Sequence, residues 1–203
     1  MQPEAGDILA EIPIPAGTPE GEAGLRLLLT RYSVSAKHLG APGPSDEQLW
    51  TMALAALRAP DHNKRIPFRF VVARDAGLEK LADLFEDYGR RRGKTGDALA
   101  LERERATPVV IAVIARIDDH DPEVPAFEQW ACVGGAISNA LTALHLMGYA
   151  GKMVSGHRAA DPAIVAAHCR SGEMLVGWIA AGTPRGQITP RGEVDPAGIL
   201  SKF

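Results

Sequence analysis

Between Arg58 and Phe70 the chain reads Arg-Ala-Pro-Asp-His-Asn-Lys-Arg-Ile-Pro-Phe-Arg-Phe, which puts Arg58, His62, Lys64, Arg65 and Arg69 in one turn-rich segment. An unpaired charge taken out of water costs several kcal/mol, so these side chains must face water, carboxylates or a bound anion. A second polar group, Arg31, Ser33, Ser35, Lys37 and His38, stands just after the first helical stretch. Arginine forks and serine hydroxyls suit a phosphate that carries a polyhydroxyl chain. Gly151 to Gly156 allows close backbone approach to a flat ring. The plainer alternative is that Arg31 and Arg58 complement the C-terminal dipoles of the helices they follow.

Other chemistries fail on spacing. The chain has no Gly-x-Ser-x-Gly, no HExxH, no Walker A sequence and no Gly-x-Gly-x-x-Gly turn between a strand and a helix. His168 and Cys169 are neighbours in a helical segment, where adjacent side chains point apart. No side chain is therefore assigned as catalytic. No metal site is expected either, because the carboxylates from Asp118 to Glu123 lack the EF-hand spacing and its glycine and read as a solvated turn. Arg90 to Lys94 reads as a solvated helix end favoured by the dipole.

These groups need a scaffold, and periodicity supplies one. Thr18-Pro19-Glu20 opens a helix carrying Leu25, Leu28, Leu29 and Tyr32, ending near Tyr32. Residues 33–44 read as a loop. Ser45 with Gln48 has the form of a capping box for a helix stopped by Pro60. Phe68 to Ala73 reads as a strand, Ala76 to Arg92 as an amphipathic helix and Asp97 to Thr107 as a charged helix. Pro108 to Ile117 is a continuous β-branched run, as a central strand covered on both faces requires. Pro125 opens the longest helix, to about Met147, apolar and rich in small residues, hence expected to be buried all round, either as the core of the fold or in a subunit interface. Lys152 to Val154 is a strand, Asp161 to Cys169 a helix with Pro162 at its first position, and Glu173 to Ala181 a strand.

The whole is one mixed α/β or α+β domain spanning 1–203, with an arm over about 1–17 and a tail over about 185–203. At 203 residues and 46% hydrophobic content a sizeable core is affordable in one domain. The formal charge of -3 speaks against nucleic acid and anionic membrane as partners. Cys132 and Cys169 read as buried free thiols, the first eighteen residues lack a secretory signal, and the chain is expected in the cytoplasm. Apolar residues in the arms, such as Ile12, Ile14, Ile199 and Leu200, suggest packing on a neighbour and a dimer.

The order of short motifs resembles the nitroreductase family of flavin enzymes, and most closely a compact bacterial subgroup of NAD(P)H nitroreductases. The resemblance spans about Leu27 to Pro184. It rests on Arg31-Tyr32-Ser33, Arg58-Ala59-Pro60-Asp61-His62 and Pro67-Phe68-Arg69-Phe70, then Phe127-Glu128-Gln129 before the long helix, Gly148-Tyr149 at its end, Met153-Val154-Ser155-Gly156, and Gly182-Thr183-Pro184. It implies an α+β fold with a central, mostly antiparallel mixed sheet flanked by helices, and an intertwined homodimer with FMN at the interface. Arg31, Tyr32 and Ser33 of one subunit would hold phosphate and ribityl chain, Arg58 and His62 would come from the other, and Met153, Val154 and Ser155 would line the isoalloxazine. NADH or NADPH would reduce the flavin, which would in turn reduce an electron-poor acceptor such as a nitroaromatic or quinone in a ping-pong cycle. The flavin carries that chemistry, which agrees with the missing catalytic motifs.

Three positions depart from the family pattern. Tyr32 replaces an arginine, with Lys37 close enough to compensate; Met153 stands where tryptophan is common; Ile66 stands where glutamine is. Lys152, Arg185 and Arg191 are further candidates for phosphate contact. Two other readings stay open on sequence: a flavin- or ligand-binding homodimer of the same fold with little turnover, and a regulatory dimer without flavin.

Overall fold

The structure, a computed structural model, describes residues 17–96, 107–186 and 196–202. Residues 1–16 of the arm expected over about 1–17, residues 97–106 of the charged helix expected over Asp97 to Thr107, and residues 187–195 and 203 of the tail expected over about 185–203, Arg191 included, lie outside the described residues.

Local chemistry starts each helix. In α1 (Pro19–Thr30) the Thr18 hydroxyl accepts from Gly21 N, with proline in the first turn and Glu20 and Glu22 complementing the dipole. The capping box of α2 (Asp46–Ala56) is complete: Ser45 Oγ accepts from Gln48 N, and Gln48 Oε1 accepts from Ser45 N. Strand β2 (Phe68–Ala73) leads into α3 (Ala76–Arg91), and β3 (Val109–Ala115) into α4 (Ala126–Leu146). After β4 (Ala150–Val154), Asp161 caps α5 (Pro162–His168) by accepting from Ala163 N and Ile164 N. The last strand is β5 (Met174–Pro184).

Strand β5 is the common partner of the sheet. It pairs with β3 along one edge and with β4 along the other, and its end pairs with the two-residue β1 (Leu39–Gly40); β2 lies outside β3. Every one of these ladders is antiparallel, so among the described residues the sheet is antiparallel throughout rather than mixed. The segment 33–44, expected as a loop, contains β1.

Alternation divides the core between two faces. Val109, Ile111 and Val113 meet α2 and α4 through Met52, Cys132, Ala136 and Leu144, while Ala112 and Ile114 meet Ile164 of α5 and Leu84 and Phe85 of α3. Strand β3 is thus buried on both faces, as its apolar run required. In β5, Ile179 faces the first side and Trp178 the second. The register slips opposite Val113 and Ile114, which pair with Gly177 and Leu175. That bulge returns Leu175 to the Trp178 side, where simple alternation would put it on the other.

Within this chain alone the long helix, expected to be buried all round in the core or in a subunit interface, is covered along one side. Its buried residues, among them Gln129, Cys132, Ala136, Ala140 and Leu144, form one stripe, while Phe127 and Leu146 are exposed. Gly135 lets α4 lie against Ala59, whose Cβ is 3.1 Å from where a glycine-replacing Cβ would stand. Helix α1 buries none of its residues within this chain. No helix among the described residues is long and apolar enough to cross a membrane.

Candidate functional site

The chain leaves α1 at Arg31 with extended backbone (φ -66°, ψ 128°), and Ser35 is extended too (φ -61°, ψ 141°). Successive side chains therefore separate. Tyr32 and Val34 pack with Leu39, Ala150 and Ala180, and burial raises the Tyr32 phenol above its ordinary range. The Tyr32 side chain thus belongs to the scaffold, leaving its main chain beside the site. Arg31 and Ser33 make no side-chain hydrogen bond or ion pair among the described residues. The loop is seated on β4 through Val34 N and the Gly151 carbonyl (3.4 Å). Thr30 Oγ1 donates to the Leu27 carbonyl, so its 2.9 Å contact with His145 Nε2 is one in which the imidazole donates. That bond fixes the start of the loop at the C-terminal end of α4.

Strand β4 divides the next three expected residues. Met153 packs towards the α2 and α4 face. Lys152 and Val154 point the other way, into a cavity of about 460 Å³ whose wall also includes Ser35, Lys37, Arg158 and Trp178. Its size and mixed lining are those of a small-molecule site. The Arg158 guanidinium lies 4.6 Å over the Phe85 ring. Among the described residues Lys37 and Lys152 have no carboxylate partner, and the buried Trp178 indole N–H has no acceptor. Ser155 follows where Gly177 passes beneath. At Gly177 (φ 150°) a Cβ would collide with the Val154 carbonyl oxygen and come within 2.9 Å of Met153 Cε and 3.0 Å of Ser155 Cβ.

Arg58 and His62 sit elsewhere. Arg58 is exposed just past α2, without a side-chain partner among the described residues. His62 Nδ1 lies 2.9 Å from Glu128 Oε2, in the first turn of α4. The Glu128 and His145 anchors are about 25 Å apart along the helix at 1.5 Å per residue. One chain therefore does not bring Arg31 and Ser33 together with Arg58 and His62; the two helix ends do not form a single surface within it.

Of the remaining cations of the opening segment, Arg65 and Arg69 meet carboxylates. Arg65 bonds Asp121 (3.0 Å) and Glu123 (3.2 Å), so the acidic turn is a docking partner rather than simply solvated. Backbone N–H groups of Glu123 and Val124, helped by Arg65, lower the Asp121 pKa. Arg69 pairs with Glu173 at 2.5 Å and donates to the His168 carbonyl. The hydrogen bond from Arg69 is the first cause that holds the Glu173 carboxyl down at about 2. Lys64 is exposed. Of the cluster at the end of α3, Arg91 bonds Asp161 and Arg90 bonds Glu86 and Asp87. Arg185 donates to the Ala41 carbonyl (3.3 Å).

Neither cysteine is poised as a nucleophile. Burial pushes Cys132 up to about 11 and raises Cys169 as well. No cluster among the described residues could hold a metal ion. Around a partly aromatic cavity the site offers Lys37 and Lys152, without a carboxylate partner among the described residues, the Ser35 hydroxyl and the buried Trp178 N–H. Those features fit an anionic, planar cofactor such as a flavin mononucleotide. Sequence reasoning missed Arg158, Trp178 and Gly177. Only the glycine in an otherwise apolar strand was a readable signal.

The nitroreductase family model matches residues 28–183. A Haemophilus influenzae protein named "Putative NAD(P)H nitroreductase" is 34% identical over 166 residues, covering 78% of this chain and 87% of that protein. Among solved structures, a nitroreductase-like family protein from Bacillus cereus superposes with a TM-score of 0.74 at 17% identity, covering 94% of this chain and 99% of that one. An oxidoreductase described as containing FMN gives a TM-score of 0.61 at 22% identity, over 87% and 79%.

Proposed function

Because the chain belongs to the nitroreductase family, we propose that it is an FMN-dependent NAD(P)H oxidoreductase that works as a homodimer. The observation that carries this reading is the cavity beside β4, where Val154 meets Lys37 and Lys152, neither paired with a carboxylate among the described residues. Bound there, FMN would supply the two-electron chemistry, taking hydride from NADH or NADPH and passing reducing equivalents to an electron-poor acceptor such as a nitroaromatic or quinone in a ping-pong cycle.

The protein's part is to bind and orient. Arg31 and Ser33 offer a guanidinium and a hydroxyl to the phosphate and ribityl chain, and Arg58 and His62 of a second copy add a further cation and an imidazole. Val154 would face the ring, with Ser155 beside it above Gly177, while Met153, expected against the ring, packs on the α2 and α4 side of β4 instead. Lys37 and Lys152 contribute positive charge to the cavity, a role that answers the loss of an arginine at Tyr32. The second copy is needed because Arg58 and His62 lie away from their own chain's cavity. It is also supported by α1, where Leu25, Leu27, Leu28 and Leu29 are each 44–48% exposed, an uncovered apolar face of the kind that marks an interface. The free cysteines accord with a reducing compartment and a cytoplasmic setting.

The test is retention. Protein mixed with FMN and passed over a gel-filtration column is expected to elute yellow, at the volume of a dimer. Colourless protein under these conditions would overturn the reading.

A further inference from the structure

We propose that Glu128 is a positioning residue of the cofactor site: it holds His62 by Nδ1 and so leaves Nε2 as the atom His62 presents to FMN. This inference rests on the flavin reading above and goes beyond it by assigning a residue on α4 that touches no cofactor itself. The geometry is direct. An ionised carboxylate only accepts hydrogen bonds, so the 2.9 Å contact between Glu128 Oε2 and His62 Nδ1 places a proton on Nδ1. The ring's second nitrogen is then the one free to meet a ligand, a division of labour by which one hydrogen bond sets the use of the other nitrogen.

The loop around His62 is built to hold that orientation. Asp61 accepts from Arg65 N (3.1 Å) and Ile66 N (2.9 Å). Asn63 donates to Glu123, and Arg65 bridges Asp121 and Glu123. These contacts are made although Asn63, Lys64 and Ile66 all adopt left-handed backbone, with φ of 58°, 53° and 48°. Ile66 is β-branched, and such a residue at positive φ is strained. The pairing of His62 with Glu128 is itself open to solvent, their side chains being 52% and 38% exposed, so it adds little to folding. What it supplies is a fixed imidazole on a loop already locked to the 118–128 segment. A purely helical role for Glu128, complementing the N-terminal dipole of α4, would leave His62 indifferent to it.

Two readouts separate these roles. Long-range proton–nitrogen NMR of the FMN-free chain at alkaline pH is expected to show His62 protonated on Nδ1, to show Nε2 protonated in E128A, and to return to Nδ1 in E128Q, whose amide oxygen still accepts. In FMN titrations, E128A should weaken binding by about tenfold, the worth of one such hydrogen bond, and E128Q by much less. In an H62A background E128A should add no further loss, because its effect passes through His62. Equal loss in both backgrounds, or an unchanged His62 tautomer in E128A, would overturn the proposal. E128M keeps bulk and helical preference and replaces E128A in every arm if alanine disturbs folding. Wild-type protein that binds no FMN would sink the flavin reading and this inference together; FMN binding indifferent to E128A sinks this inference alone.

Discussion

Gly177→Ala addresses the cradle beneath the expected flavin floor. The native backbone there has φ 150°, a region that side chains rarely enter, and the added methyl would run into the Val154 carbonyl oxygen and crowd Met153 Cε at 2.9 Å and Ser155 Cβ at 3.0 Å. Backbone strain of this kind costs on the order of 1–3 kcal/mol, and overpacking a closely filled position costs a further ~1–3 kcal/mol. The sum, roughly 2–6 kcal/mol, is a large part of a typical domain's stability. For a chain of this length each kcal/mol moves the melting temperature by about 2–4 °C, so Tm should fall by roughly 4–24 °C. Calorimetry of the FMN-free variant measures that. A second scan with FMN measures the site: ligand at a hundredfold excess over its Kd adds about 2.7 kcal/mol, and the rise should shrink in the variant because 153–155 is displaced. A variant that melts within about 1 °C of wild type and gains as much from FMN would refute the assignment of Gly177 as the support of that segment.

Arg58→Ala should weaken FMN binding by about 1.5–3 kcal/mol through loss of a charge-assisted hydrogen bond, read by fluorescence titration; unchanged affinity would remove Arg58 from the site. Glu173, whose carboxyl lies at about 2 against an ordinary 4.5, contributes stability that is fully present above pH 4.5 and is lost as pH falls through about 2. Wild type should therefore lose stability between those values more steeply than Glu173→Gln in parallel acid scans, and equal slopes would contradict the pair's role. Leu28→Asp, placing a charge on the uncovered face of α1, should shift the chain to monomer in light scattering and weaken FMN retention with it. A dimer that survives this change does not use that face.

Elements whose causes are local could be read directly. The capping box at Ser45 and Gln48, the Asp161 cap with Pro162, and the apolar run of β3 each carry their explanation within a few residues. The mistakes concern partners distant in sequence. Strand β1 has only two residues and exists because Leu39 pairs with Pro184, which no local pattern announces. For Arg69 and Arg65 sequence left water, carboxylates and a bound anion open, and only the fold shows that Glu173 and Asp121 are the partners. At the site, the motifs from Arg31 to Ser155 were legible as a family pattern. The direction of each side chain was not: the extended backbone turns Tyr32 inward beside Arg31, and the pleat of β4 sends Met153 and Val154 to opposite faces. That Gly177 passes beneath Val154 follows from the register of β4 against β5, in which Val154 pairs with Trp178, a long-range quantity.

Whether this chain holds FMN and turns it over with a nicotinamide coenzyme is read by anaerobic stopped-flow of the FMN-loaded protein mixed with NADH or with NADPH. The yellow absorption should bleach with at least one of them and return when a quinone or nitroaromatic is added. Bound FMN that stays oxidised with both coenzymes would contradict the proposed turnover and leave a flavin-binding scaffold without turnover.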